Sequence, residues 1–358
     1  MRGYSPTFDQ LCACFRGELP ADADWISIIE LANRTLTTTA LKPLVANDRN
    51  VPADVAAYVD HLFERNLIRN SRLKTQLSEF VTALNEEGII PVLLKGAALL
   101  TTANETSAGF RLISDLDVLV APNEFERALD CSARLGYRIH YRSPSGDSKC
   151  YADLERPDNV GMIDLHRERP GHKFFYRSHT DVTQYCKLLT GEAGTFYVPL
   201  SSYQALILVF HDAFQDYDYW LGSIDLRHLL DLRDLVRQQG GADWNELAVL
   251  APSCLAQNAL AAHFLTLSSL LDVSVDLHLP KRFAPRLQSW RRVLRARRPG
   301  LKYLLLVLNL LDYWTYRAEI ARKETAEWRP SLAMSPMPKV STLNFLLSLS
   351  RERRPGKV

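Results

Sequence analysis

The chain has 358 residues, of which 47% are hydrophobic and 23% charged, a composition that is ordinary for a soluble globular protein. This length allows a sizeable core in one large domain or in two. The formal net charge of +2 excludes general nucleic-acid binding by the whole chain. Basic residues do concentrate at 282–302 and 351–357, but such runs are more often a solvated surface than a contact for phosphates or acidic lipid.

Cysteine usage and hydropathy indicate a reducing compartment. The six cysteines include no CxxC pair and no Cys/His spacing typical of a zinc site, so they are interpreted as core residues. The N-terminus lacks the pattern of a secretory signal. No apolar run approaches the ~20 residues needed to cross a bilayer, and the closest, Tyr303–Leu311, ends at Asp312. We therefore predict a cytoplasmic protein with no transmembrane segment.

Residues 1–88 are predicted to form an N-terminal helical region, because apolar residues recur at helical spacing between Val51 and Glu87. The pattern changes at 89–94, a nearly all-apolar run that suits a strand buried on both faces. Lys95-Gly96 follows this strand, and a small-residue helix begins at Ala97.

A second strand is predicted at Arg111–Val120, followed by a helix at Glu124–Leu135. Residues 137–142 and 149–155 are predicted to form an antiparallel pair joined at Ser145-Gly146-Asp147, and a further strand is predicted at Val160–His166. The predicted fold class is therefore α+β, with a small mixed-sheet core at residues 89–200.

Helical periodicity returns at Ser201 and continues to residue 323, with interruptions near 273–280 and at Arg298-Pro299. Residues 324–358 are Pro-rich and then basic. The predicted organisation is thus a helical region at 1–88, a core at 89–200, a second helical region at 201–323 and a tail at 324–358.

Two carboxylates stand two residues apart in the second predicted strand, at Asp115 and Asp117. Residues i and i+2 of a strand lie on the same face, about 6.8 Å apart along the chain. Two carboxylates on one face repel each other and are costly to bury unless a cation neutralises them. The alternative, a solvent-exposed turn, fits poorly with the apolar residues around the pair, which are Leu112, Ile113, Leu116, Val118, Leu119 and Val120.

A third carboxylate, Asp164, lies on the later strand in the pattern Met-Ile-Asp-Leu-His. If this strand neighbours the first two carboxylates, the three aspartates can hold a pair of Mg²⁺ ions roughly 3.5–4 Å apart, with phosphate oxygens between them. Asp115, Asp117 and Asp164 are therefore the predicted metal ligands and catalytic residues.

Nucleotide-binding residues are predicted around these carboxylates. Gly96, between a strand and a helix, lets the backbone come close to an anion, and Lys95 adds a positive charge for a triphosphate. Arg111 lies four residues before Asp115 and is either a phosphate ligand or a structural ion-pair partner. His166 lies on the same strand face as Asp164, where it either contacts phosphate or bonds a nearby carboxylate.

Two further groups of polar residues receive structural interpretations. His211 and Asp212 lie on an apolar helix, where a core histidine with a satisfied hydrogen bond is the usual explanation. A later helix carries residues at i, i+3 and i+4 spacings that are consistent with surface ion pairs, namely Arg227, His228, Asp231 and Asp234.

The runs VLLKGAALL, GFRLISDLDVLV and MIDLH resemble a family of uncharacterised bacterial nucleotidyltransferases in the DNA polymerase β-like superfamily. The resemblance places Gly96 on the superfamily's glycine turn and Asp115 and Asp117 on its paired metal ligands. It places Asp164 on the third carboxylate, which in the superfamily helps to activate the attacking hydroxyl. The resemblance also extends to residues 206–231.

This resemblance implies an enzyme that uses Mg²⁺ or Mn²⁺ to move an NMP group from an NTP such as ATP to an acceptor. The acceptor, whether a small molecule, a carrier-bound intermediate or a macromolecule, is not encoded in any pattern that we recognise. Ala97 departs from the superfamily, which usually has Ser or Gly after the turn glycine. The alternatives are therefore a catalytically inactive nucleotide-binding or scaffold protein and a toxin-like transferase acting on RNA or protein.

Overall fold

The computed structural model describes residues 5–48, 50–102, 104–143, 151–170, 182–238, 244–308 and 356–358. Contacts group the chain into two compact units. Of the described residues, unit 1 contains those up to Thr38 and those from Ala205 onward, and unit 2 contains Thr39–Pro170 and residues 182–204.

Unit 2 contains a seven-stranded mixed sheet with the strand order β3-β4-β5-β2-β1-β7-β6 within the described residues. The pairs β2–β5 and β1–β7 are parallel, and the other neighbours are antiparallel. The strands are β1 (Val92–Leu93), β2 (Leu116–Leu119), β3 (Arg138–Arg142), β4 (Tyr151–Glu155), β5 (Ile163–His166), β6 (Cys186–Gly191) and β7 (Gly194–Pro199).

Helices precede, connect and follow these strands. In chain order they are α1 (Ser5–Arg16), α2 (Trp25–Arg34), α3 (Lys42–Asn47), α4 (Ala53–Glu86), α5 (Lys95–Thr102), α6 (Glu105–Ala108), α7 (Phe125–Arg134), α8 (Ser201–Phe210), α9 (Asp218–Leu221), α10 (Leu226–Arg237), α11 (Glu246–Leu250), α12 (Cys254–Leu271), α13 (Phe283–Arg297) and α14 (Lys302–Leu306).

The 34-residue helix α4 supports the loop that enters β2. Its buried Asn66 donates to the carbonyls of Gly109 and Arg111, at 2.8 and 3.0 Å. Asn70, one turn later, donates to those of Ala108 and Arg111, at 2.7 and 2.8 Å. Buried carbonyl groups need partners, and here side-chain amides take the place of a neighbouring strand.

The same helix holds the starts of β2 and β5 together. The guanidinium of Arg69 donates to the carbonyl of Ile113 and, at 3.0 Å, to that of Val160. Gln76 donates to the carbonyl of Gly161 at 2.9 Å. One helix therefore fixes the approach of both strands that carry the predicted metal ligands.

The core of unit 2 lies between α4, α7 and the sheet. Leu73, Leu77 and Phe80 of α4 are fully buried against the strand residues Val118 and Leu165. Burial of apolar side chains of this size contributes about 1.5–3 kcal/mol each, so this layer stabilises the sheet.

Unit 1 is helical in its described residues. Helix α12 is long and apolar enough to meet the criteria for a membrane span, but 67% of the relevant window is buried inside the structure, as in the core helix of a folded domain. Of the cysteines, Cys12, Cys14 and Cys131 are buried as predicted, Cys186 is partly buried and Cys254 is exposed. Cys150 lies outside the described residues.

The predicted α+β class, with helices before and after a mixed sheet, is confirmed. The second predicted strand, 111–120, is shorter than expected, because side chains of α4 bind the carbonyls of Arg111 and Ile113 before β2 begins. The first strand is reduced to Val92–Leu93, since Pro91 has no N–H to donate. The β6–β7 hairpin was not predicted, and the proposed turn at 145–147 lies outside the described residues.

Gly161 permits the close approach of α4 to the start of β5. A Cβ atom at this position would lie 2.9 Å from Leu73 Cδ2 and 2.9 Å from the carbonyl oxygen of Ser114. We expect Gly161→Ala to destabilise unit 2 by about 1–3 kcal/mol, because a backbone atom must move. Hydrogen exchange of the β2 and β5 amides measures this loss.

Gly191→Ala is the matched control, because a Cβ there would meet nothing within 4 Å. It should leave the exchange rates of β2 and β5 unchanged. Equal stability of the two variants would contradict the close-approach argument.

Candidate active site

Three aspartates form one row across three neighbouring strands. Asp117 of β2 is paired with Asp164 of β5, and Asp164 is paired with Asp153 of β4. Residues in register on adjacent strands point to the same face, at a strand spacing of about 4.8 Å. The structure therefore brings Asp117 and Asp164 together as predicted, and it adds Asp153, which was not predicted.

Asp117 is the most buried member of this row, with 2% of its surface exposed. Its Oδ1 atom accepts a hydrogen bond from Lys95 Nζ at 2.9 Å and lies 3.1 Å from His166 Nε2. Burial alone would raise the pKa of Asp117, but the Lys95 ammonium and the His166 ring hold it well below its usual range. Asp117 is therefore ionised in the folded protein.

Lys95 is fixed by the turn between β1 and α5. It has a φ of +44°, a left-handed conformation that costs free energy for a residue with a Cβ. Burial would lower the pKa of Lys95, but Asp117 and Asp115 raise it. The ammonium thus stays charged in a buried position beside the carboxylates.

Gly96 has a packing role that the sequence did not predict. A Cβ atom at this position would lie 2.8 Å from Ile113 Cγ2, inside normal contact distance. Gly96 therefore lets the start of α5 lie against the segment that enters β2. The prediction that it approaches a nucleotide phosphate stays a prediction.

Asp164 and Asp153 are the two carboxyl groups of the row whose pKa values are raised. Burial, together with the charges of Asp115, Asp117 and Asp153, raises the pKa of Asp164 to about 9. Burial also raises the pKa of Asp153, opposed by a hydrogen bond with Asp164. The site therefore holds a proton at neutral pH that a bound cation would replace.

Asp115 lies one residue before β2 and is partly exposed. Its Oδ1 atom accepts a hydrogen bond from Ser114 at 3.0 Å. Its charge acts on both Lys95 and Asp164, which places it at the edge of the same site.

Arg111 and Arg69 differ in how they relate to the carboxylates. The guanidinium of Arg111 donates to the carbonyl of Leu112, its own neighbour. Arg69 was not predicted, yet Asp115 acts on its pKa, which burial lowers, and its guanidinium binds the segments that enter β2 and β5. A lysine or arginine in a long amphipathic helix carries no signal for such a role, so the sequence could not identify it.

The donor set fits a divalent cation. Ligand atoms of Asp117, Asp164 and His166 all lie within 4.8 Å of one another. Asp153 contributes a buried carboxylate oxygen, Oδ1, with no hydrogen-bond partner. Carboxylate oxygens suit Mg²⁺ and Mn²⁺.

Residues 21–272 match a family model described as an uncharacterised nucleotidyltransferase. This range includes α4, the whole sheet and every residue of the candidate site. No match is found among curated proteins. Because the match extends over more than half of the chain, the protein belongs to this family of uncharacterised nucleotidyltransferases.

Proposed function

We propose that the protein is a metal-dependent nucleotidyltransferase with a DNA polymerase β-like core, which moves an NMP group from an NTP to an acceptor nucleophile. The observation that carries this proposal is the register of Asp117 with Asp164 on the adjacent parallel strands β2 and β5. Family membership supports the general reaction class. We propose Mg²⁺ or Mn²⁺ as the cofactor and an NTP as the donor of the transferred group.

Asp117 and Asp164 are the proposed metal ligands, with Asp115 at the exposed edge of the site. Repulsion keeps these two carboxylates from ionising together, so a divalent cation that neutralises both would stabilise the site and release the proton of Asp164. When bound, Mg²⁺ or Mn²⁺ supplies charge stabilisation for the transferring phosphoryl group and lowers the pKa of the acceptor hydroxyl.

Lys95 is the proposed triphosphate ligand. In this structure its ammonium neutralises Asp117, at 2.9 Å. The flexible lysine side chain can turn to a phosphate oxygen once a cation takes over this neutralisation. His166 keeps its contact with Asp117 Oδ1 and orients that carboxylate.

Ala97 does not argue against catalysis by itself. It is fully buried and its N–H donates to the carbonyl of Leu94 at 3.0 Å, so it belongs to the packed first turn of α5. Backbone N–H groups and Lys95 remain as the means of binding phosphate at this turn.

Asp117→Asn is expected to lower nucleotidyl transfer at least about 100-fold, because the variant loses the ionised oxygen shared by Lys95, His166 and the cation. The assay is incubation with labelled NTPs, Mg²⁺ or Mn²⁺ and cell extract, followed by detection of a labelled or mass-shifted product. Asp130→Asn, an exposed carboxylate on α7, is the control and should keep full activity.

If the unchanged protein labels no product that Asp117→Asn fails to label, enzymatic transfer loses its support. Binding of NTP without any requirement for Mg²⁺ or Mn²⁺, measured by calorimetry, would then favour a nucleotide-binding scaffold.

Metal affinity is expected to depend on pH through Asp164. Because its folded pKa is about 9 against an ordinary 3.8, the folded metal-free protein holds more protons than the unfolded chain between these values, and its stability falls as pH rises. A cation must displace this proton, so Mn²⁺ affinity should increase across a series from about pH 6 to about pH 8.5.

Mn²⁺ titration followed by electron paramagnetic resonance measures this dependence. Asp164→Asn should flatten it and bind Mn²⁺ more weakly at every pH. Its metal-free form should exchange the β5 amides more slowly than the unchanged protein at pH about 8, because ionisation of this carboxyl no longer favours the unfolded chain. An equally steep pH dependence in the variant would show that another group holds the proton.

Lys95→Met should produce opposite effects on stability and on metal binding. Without metal, the variant leaves the buried Asp117 without its ammonium partner and should melt at a lower temperature. Added Mn²⁺ should raise its melting temperature more than that of the unchanged protein, since the cation meets no resident positive charge. Transfer activity should still fall, because the triphosphate ligand is lost. Equal Mn²⁺ stabilisation of both proteins would contradict the proposed role of Lys95.

A further inference from the structure

Unit 1 contains four aspartates whose carboxylates surround one point. They are Asp212, Asp216, Asp218 and Asp225, with side-chain exposures of 4%, 28%, 0% and 1%. We call this group the acidic socket. Asp212 lies on a π-helical turn, His211–Gln215, a type of irregularity that is common at functional sites.

The ammonium of Lys357 lies at the centre of the acidic socket. Lys357 Nζ is 2.5 Å from Asp218 Oδ2 and 2.9 Å from Asp216 Oδ2. It is 3.5 Å from Asp212 Oδ1 and 3.7 Å from Asp225 Oδ2. The lysine side chain is itself only 10% exposed. Because a buried ammonium is costly without anionic partners, these carboxylates are what allows it to be buried.

The socket has a framework that does not depend on this lysine. His228 Nδ1 lies 2.6 Å from Asp212 Oδ1. Asp225 caps α10 by accepting from the N–H groups of Arg227 and His228, at 2.9 and 3.3 Å. The interpretation of Arg227 and His228 as surface ion-pair residues is therefore wrong: His228 is 8% exposed and both side chains face the socket carboxylates.

The backbone around Lys357 is also held in place. The N–H of Ile224 donates to the carbonyl of Val358 at 2.9 Å, and the N–H of Val358 donates back at 3.0 Å. These bonds form an antiparallel bridge between Asp225 and Lys357. Side chain and main chain therefore bind the same short segment, as in recognition of an extended peptide at a strand edge.

Gly356 adds a requirement at the preceding position. Its φ is +85°, and a Cβ there would lie 3.1 Å from Nη2 of Arg227. Its N–H donates to the carbonyl of Arg34 at 3.0 Å. A residue with a side chain would be strained here and would press on the guanidinium.

We propose that unit 1 contains a recognition site for a short glycine–lysine segment in which the glycine is left-handed, that the acidic socket selects the lysine ammonium, and that the chain fills this site with its own residues 356–358. This site is independent of the proposed nucleotidyl transfer. One oxygen of the socket, Asp218 Oδ1, is buried without a hydrogen-bond partner, so the socket has acceptor capacity beyond what the lysine uses.

A compact ammonium suits the socket better than the other cations do. Two carboxylate oxygens lie within hydrogen-bond distance of a single nitrogen, and two more lie within 3.7 Å. A guanidinium is planar and spreads its donors over a wider fork, so it cannot place one nitrogen among four carboxylates. A divalent ion could use Asp212, Asp216 and Asp218, whose oxygens lie within 4.8 Å of one another, but only after the lysine has left.

The first test removes the ammonium from the full-length protein. Tryptophan fluorescence reports on unit 1, because residues 39–170 and 179–204 of unit 2 contain no tryptophan. Lys357→Met should lower the melting temperature recorded in this way by at least about 5 °C, since buried carboxylates lose their partner. Lys281→Met, which removes an exposed lysine of unit 1, is the control and should cause no shift.

A double variant separates the socket from a general effect on folding. Asp218→Asn removes the charge of the closest carboxylate, so Lys357→Met/Asp218→Asn should melt above Lys357→Met alone. In the same proteins, hydrogen exchange at the amides of Ile224 and Val358 should accelerate with Lys357→Met. If Lys357→Met has the same melting temperature as the unchanged protein and the same exchange rates at these two amides, the proposal is overturned.

Peptide rescue tests recognition directly. The amidated peptide Arg-Pro-Gly-Lys-Val should raise the melting temperature of full-length Lys357→Ala in a saturable way. The same peptide with norleucine in place of lysine should have no effect. Stabilisation by Zn²⁺ or Mg²⁺ but not by the lysine peptide would overturn the proposal in favour of a metal site.

If Lys357→Ala does not fold, Asp218→Asn still decides the question, because it keeps the lysine. It should accelerate exchange at Ile224 and Val358, while the exposed control Asp22→Asn should not. Unchanged exchange in Asp218→Asn would contradict the assigned lysine contact.

Discussion

The buried contact between Lys95 and Asp117 is the constraint on which the candidate site depends. An unpaired carboxylate that is 2% exposed is too costly to keep ionised, and the ammonium at 2.9 Å removes most of that cost. The lysine makes this contact from a left-handed backbone conformation, with a φ of +44°, and the buried ion pair offsets the cost of that conformation. The left-handed backbone of Lys95 thus accompanies the placement of its ammonium beside Asp117 of β2.

The neighbouring carboxylates are less completely neutralised, because the charge of Lys95 only partly offsets burial and repulsion at Asp164. A single lysine serves Asp117, while Asp164 and Asp153 stand in the same row with raised pKa values. A protein selected only for stability would replace one of them with a neutral residue, since like charges in register destabilise a sheet. Retaining them is the expected cost of a site that gains its neutrality from a ligand.

Much of this arrangement could be predicted from the sequence, because it depends on local pattern. Alternation and apolar flanks locate Asp117 and Asp164 on buried strands, and Lys95-Gly96 follows from the strand-to-helix change. The pairing of β5 with β2 could not be predicted in this way, because strand order is set by long-range packing. Asp153 was missed for the same reason: its strand was predicted, but its neighbour was not.

Side-chain hydrogen bonds to the backbone account for the misplaced start of β2 and for the missed role of Arg69. Asn66, Arg69 and Asn70 belong to an amphipathic helix in which polar residues are expected to face solvent. Here they replace a strand partner for residues 108–113, which shortened the predicted strand and left Asp115 just outside it. The predicted β2 was too long because the carbonyls before it found partners on a helix.

The acidic socket and the row of aspartates on the sheet each contain a buried lysine, with opposite effects on their carboxylates. In the acidic socket Lys357 acts together with His228 and Arg227, and the pKa values of Asp212 and Asp225 are held low against the effect of burial. Only Asp218 remains raised there, to about 6. In the row on the sheet, by contrast, the positive charge is insufficient and the pKa of Asp164 rises to about 9. Several cationic partners make a carboxylate cluster a fixed part of a structure, whereas too few leave it ready to bind a cation. This difference separates the socket from the candidate active site.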